Sequence, residues 1–106
     1  MTPTVVTPRP GHRWLMSEDS AGLFPVRTGT TATEAQAWTE AIHAGTAALL
    51  AGSIRHLAIA VDDEIPTLGY SPGRDRHGHL DPAHVSHDLT ELLADTIRDL
   101  ASSPRS

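Results

Sequence analysis

Residues 54–61 read IRHLAIAV and form the strongest strand pattern in the chain. Leu57, Ile59 and Val61 recur with a period of two, which places three large aliphatic side chains on one face of a β-strand. The opposite face carries small or polar residues, namely His56, Ala58 and Ala60. We therefore expect a strand with one face packed on the core of the protein.

A helix is predicted immediately before this strand. The sequence TATE at residues 31–34 matches a capping box, in which a Thr hydroxyl accepts the third helical amide and the Glu side chain reaches back to the cap amide. Gly52 suits the left-handed conformation that ends many helices. The pattern predicts a helix over about 32–51. Its expected buried stripe consists of Ala35, Trp38, Ile42, Gly45 and Leu49.

Three further strands are predicted around this unit. They cover residues 12–17 (HRWLMS), 23–27 (LFPVR) and 64–70 (EIPTLGY). Proline cannot donate to a β-ladder, so Pro25 places the second strand at an edge of the sheet.

A last helix is predicted over 81–101, because Asp81 is a favourable N-cap and Pro82 is favoured at the first helical position. Its apolar stripe consists of Val85, Leu89, Leu92, Leu93, Thr96 and Leu100. The resulting order is ββαββα. It predicts an α+β fold with a four-stranded, mostly antiparallel sheet and two helices on one face. The domain is expected over 12–101, between an extended tail at 1–11 and a short tail at 102–106.

Composition narrows the function classes. The 106 residues fit one domain, and the absence of cysteine excludes disulfides, thiolate metal sites and cysteine nucleophiles. The formal net charge of −5 disfavours binding to nucleic acid. No apolar run approaches the ~18 residues that span a bilayer, and the start of the chain lacks the apolar segment of a secretory signal. We therefore expect a soluble, cytoplasmic protein without membrane or nucleic-acid partners.

Ala58 and Ala60 give the sheet a small apolar patch on the face that the helices are expected to leave open. An antiparallel sheet that faces water usually carries polar residues there. The pattern predicts a protein-binding face and, from it, a small acidic accessory or regulatory module. Such a module would form a homodimer or dock on a protein partner.

Histidine is concentrated in residues 74–88, RDRHGHLDPAHVSHD. Imidazoles and carboxylates at helical or near-helical spacing suit Zn²⁺ or another divalent ion. The candidate ligands are His77, His79, His84, His87 and Asp88. Because the spacing matches no zinc signature, two alternatives stay open: a solvated histidine-rich loop and a pH-sensitive loop.

Evidence for catalysis is weaker. The sequence GYSPG at residues 69–73 matches a nucleophile elbow, but Pro72 has no N–H for an oxyanion hole and no helix follows at once. Residues 62–64 (DDE) are interpreted as a solvated turn. His12, His43 and His56 stand alone in the sequence. Enzymatic activity is therefore left open and disfavoured, the remaining alternative being a site at a dimer interface with His77 or His79 as a general base.

Overall fold

A computed structural model describes residues 11–18, 25–63 and 65–102. It contains four strands and two helices in the predicted order ββαββα. Their bounds are β1 His12–Ser17, β2 Pro25–Thr31, α1 Glu34–Ala51, β3 Leu57–Val61, β4 Leu68–Tyr70 and α2 Pro82–Ser102. The predicted start of the second strand at residues 23–24 and most of both predicted tails lie outside the described residues.

The four strands form one antiparallel sheet in the order β2-β1-β3-β4. β1 and β3 lie at its centre, where Leu15 is aligned with Ala60. β2 and β4 are the two outer strands. The predicted α+β fold is confirmed.

Helix α1 begins two residues later than the capping box implies. Its N-cap is Thr33, whose hydroxyl accepts the Gln36 amide at 3.1 Å. Thr31 is instead the last residue of β2, and its hydroxyl donates to the Thr33 carbonyl at 2.6 Å. The predicted capping assignment is therefore wrong in register, because the pairing of β2 with β1 continues through Thr31. At the other end Gly52 adopts φ 80°, as predicted.

The core lies between the sheet and α1, with α2 packed against α1. Trp14, Met16 and Ile59 face the helices from the sheet, and Val85 and Leu89 bring α2 into the same cluster. Both helices therefore cover one face of the sheet. Neither of them combines the length and the apolar composition needed to cross a bilayer, within the ranges that the structure describes.

Candidate functional site

The predicted metal-binding segment forms a loop followed by the first turns of α2. In the loop, the Asp75 carboxylate accepts the backbone amides of His77 at 2.8 Å and His79 at 2.9 Å. The rings of His77 and His79 have centroids 6.1 Å apart. Asp75 therefore orders the backbone of the loop, while both imidazoles stay exposed.

The other candidate ligands pair separately along α2. His84 Nε2 lies 3.3 Å from Asp88 Oδ2, and His87 Nε2 lies 3.4 Å from Glu91 Oε1. In each pair the residues are four apart; His84, His87 and Glu91 are exposed, and Asp88 is half-buried. Within residues 11–18, 25–63 and 65–102, metal-ligating atoms do come within 4.8 Å of one another in one group. That group consists of His12, Glu34 and Asp62 and includes none of the five predicted ligands. The structure thus does not bring the five predicted ligands together, and metal binding by them stays a prediction.

Asp88 also connects α2 to the sheet. The Tyr70 hydroxyl donates to Asp88 Oδ2 at 2.7 Å. Desolvation of the phenol, followed by its hydrogen bond and charge interaction with Asp88, raises the pKa of Tyr70 to about 12. The Asp88 carboxylate therefore provides a hydrogen bond between α2 and β4.

The predicted docking residues, Ala58 and Ala60, are not exposed to solvent in the single chain. Ala58 is 5% exposed and Ala60 is 0% exposed, although both lie on the sheet face opposite α1. Their neighbours on that face, Leu15 and Ser17, are also buried. Partner binding through Ala58 and Ala60 stays a prediction, but these side chains offer almost no accessible area to a partner.

The edge of the sheet at β2 is more accessible. Residues 25–28 and Thr30 are exposed, and β2 has β1 as its one neighbour in the described part of the sheet. β4, at the opposite edge, has three residues, whereas β2 has seven. The longer edge therefore exposes more main chain to solvent.

Hydrogen bonds at β1 fix the direction of the main-chain groups in β2. Asp62 donates its amide to the Arg13 carbonyl at 2.8 Å, so Arg13 directs its backbone groups toward β3. Along an antiparallel strand this direction alternates from residue to residue. Trp14 therefore directs its groups toward β2, where it is aligned with Gly29.

By the same alternation, Thr28 and Thr30 direct their amide and carbonyl groups away from β1, toward the open edge, whereas the register shift interrupts the alternation at Val26. Within the described residues no hydrogen-bond partner occupies these outward positions. The sequence predicted an edge strand here from Pro25 alone. The direction of the outward groups became visible only from the register with β1.

A second polar cluster lies where β1 begins and β3 ends. His12 Nδ1 lies 2.6 Å from Asp62 Oδ2, and Asp62 Oδ1 accepts the Arg13 amide at 3.1 Å. Glu34, the first residue of α1, brings a third ligand atom within 4.8 Å of the other two. Sequence reasoning missed this cluster, because its members lie far apart in the chain, where His12 looks isolated, Glu34 fits a capping box and Asp62 fits a solvated turn.

An apolar groove of about 410 Å³ lies between α1 and α2. Leu50 and His43 line it from α1, and Leu93 lines it from α2. It is open to solvent and has no charged carboxylate or guanidinium in its lining. The groove therefore offers mainly apolar area, and its polar lining groups are the His43 ring and the hydroxyls of Thr46, Ser86 and Thr90.

Comparison of the chain with protein-family models, with curated proteins and with solved structures gives no match. Function is therefore inferred from the geometry of these surfaces.

Proposed function

We propose that this domain is a small accessory binding module that associates with a second copy of itself through the edge of β2. The observation that carries the proposal is the seven-residue edge strand, exposed at residues 25–28 and at Thr30, whose outward amide and carbonyl groups come from Thr28 and Thr30. Such a row of main-chain groups is a template for pairing with another strand.

The edge has few of the features that block pairing. Edge strands are usually short, charged or interrupted by proline or a bulge. In β2, Pro25 and a register shift are confined to the first residues, and Arg27 is the single charged side chain. The following residues, TGTT at 28–31, are neutral. This edge therefore lacks protection over most of its length.

A second copy fits the edge because its sequence is self-complementary around Thr28. In an antiparallel pair centred there, Thr28 meets the Thr28 of the copy, and the register shift at Val26 lies toward the ends of the paired segment. A cross-strand Thr pair stabilises a sheet by about 0.2–1 kcal/mol. Arg27 meets Gly29, so the one charge of the strand is not opposed by a like charge.

Size-exclusion chromatography with light scattering, over a range of concentrations, tests this proposal. The wild-type chain is expected to form dimers. Thr28→Pro removes an outward amide while leaving the ladder with β1 intact, and it should yield monomers with an unchanged far-ultraviolet spectrum.

The matched control is Thr28→Val, which keeps the amide and a β-branched side chain and should remain dimeric. A wild-type chain that is monomeric at about 100 μM, well above the Kd of a specific dimer, would contradict the proposal. So would a Thr28→Pro variant that stays dimeric. A wild-type monomer that instead pairs with an extended peptide would reassign the edge to a different partner.

A further inference from the structure

We propose that His12, Glu34 and Asp62 bind one divalent first-row transition-metal cation, with Mn²⁺ as the probe. This cluster is separate from the β2 edge. Each of the three residues supplies one ligand atom, and the three atoms lie within 4.8 Å of one another. They come from the start of β1, the first residue of α1 and the turn after β3.

The donor set selects this class of ion. One imidazole nitrogen and two carboxylate oxygens combine the ligands preferred by zinc-like ions with those preferred by manganese and magnesium. Ligand atoms about 2.0–2.2 Å from one ion lie at most about 4.4 Å apart. The present separation of up to 4.8 Å therefore closes with small side-chain rotations. Partial exposure of His12 and Asp62 leaves room for water to complete the coordination shell.

Metal binding replaces a hydrogen bond inside the cluster. His12 Nδ1 and Asp62 Oδ2 are 2.6 Å apart, within hydrogen-bond distance. An imidazole binds a metal ion through a nitrogen lone pair, so an ion held by both side chains takes the place of this hydrogen bond.

The main chain already holds Asp62 in position for this role. Asp62 has φ 61°, in the left-handed region, and its amide donates to the Arg13 carbonyl. The Arg13 amide donates back to Asp62 Oδ1. Oδ1 is therefore fixed by the backbone of β1 while Oδ2 is directed at His12. Hydrogen bonds of this kind orient metal ligands and raise affinity.

Titration of the full-length chain with Mn²⁺, followed by the electron paramagnetic resonance signal of the free ion, tests the proposal. The wild type is expected to bind one ion per chain. Asp62→Asn keeps an oxygen acceptor for the Arg13 amide and tolerates the left-handed backbone, yet removes the charge. We expect it to lower the affinity by more than about tenfold, since even changes beyond the ligands themselves cost about that much.

Glu34→Gln should lower the affinity in the same way. The control is the His84→Ala/His87→Ala double variant, which removes the predicted histidine pair of α2 and should leave Mn²⁺ uptake unchanged. Mn²⁺ should also raise the melting temperature of the wild type but not that of Asp62→Asn. The reason is that the three ligands come together only in the folded state, so the ion stabilises that state.

The proposal is overturned if the wild type takes up no Mn²⁺ at about 1 mM, a concentration that detects even weak binding. It is also overturned if uptake survives in both Asp62→Asn and Glu34→Gln, whether or not the His84→Ala/His87→Ala variant retains it. Either result is independent of the oligomeric state and leaves the proposal for β2 unaffected.

Discussion

At the scale of single residues, Gly29 determines how Trp14 packs. Trp14 is buried, and its indole Nε1 donates to Glu40 Oε1 at 3.2 Å. A Cβ at Gly29 would lie 2.5–2.7 Å from three atoms of that indole. Because Gly29 has no side chain, the indole of Trp14 can pack directly against the backbone of β2.

Gly29→Ala is expected to destabilise the fold by about 1–3 kcal/mol, the usual cost of overpacking a rigid buried group. Urea denaturation measures the loss, and a shifted tryptophan emission should accompany it. Gly73→Ala is the matched control. A Cβ there meets nothing within 4 Å, so the change should stay within about 0.5 kcal/mol. Equal stability of the two variants would contradict this account.

At the scale of elements, the side chain of Tyr70 joins β4 to α2 through its hydrogen bond to Asp88. Burial and the Asp88 carboxylate disfavour the phenolate in the folded state, which raises the pKa of Tyr70 to about 12. The unfolded value is near 10. The resulting stabilisation is fully present below about pH 10 and is lost as pH rises from about 10 to about 12.

Because Tyr70 is the single tyrosine of the chain, phenolate absorbance at alkaline pH reports on it alone. We expect the native protein to titrate near 12, and Asp88→Asn to titrate lower, because this substitution removes the negative charge beside the phenol. The urea-unfolded chain, expected near 10, is the reference. A native midpoint at the unfolded value would show that the hydroxyl is solvated and not bonded to Asp88.

At the scale of the whole molecule, one hydrophobic cluster connects the sheet to both helices. α2 contributes Val85 and Leu89, each 1% exposed, to the cluster that contains Trp14 and Trp38. Both tryptophans lie outside α2, in β1 and α1. Their fluorescence therefore reports on the sheet and α1, whereas circular dichroism reports on both helices.

We expect Leu89→Ala to cost about 2–5 kcal/mol and to lower the fluorescence and circular-dichroism midpoints together, because the side chain lies in the shared core. Leu50→Ala is the control, since Leu50 is 42% exposed and should contribute far less. Loss of the helical signal before the fluorescence change in Leu89→Ala would show that α2 unfolds on its own.

Local chemistry made most of the fold predictable. Alternating aliphatic residues define β3, and Gly52 and Asp81 mark the end of α1 and the start of α2. Gly45, in the predicted buried stripe of α1, lies against the Leu57 side chain. The start of α1 was predicted two residues early because two threonines compete for the cap. Pairing of Thr31 with β1 decides between them.

The candidate sites depended on tertiary structure. Histidines close in sequence were predicted to converge, yet His84 and His87 each pair with a carboxylate one helical turn further along α2. His12, Glu34 and Asp62 meet because β1 and β3 are neighbours and α1 begins beside them. The sequence by itself determined the elements and their order, because those follow from local periodicity and capping. Only the tertiary structure decided which edge stays open and which side chains converge, because both depend on strand order and register between distant segments.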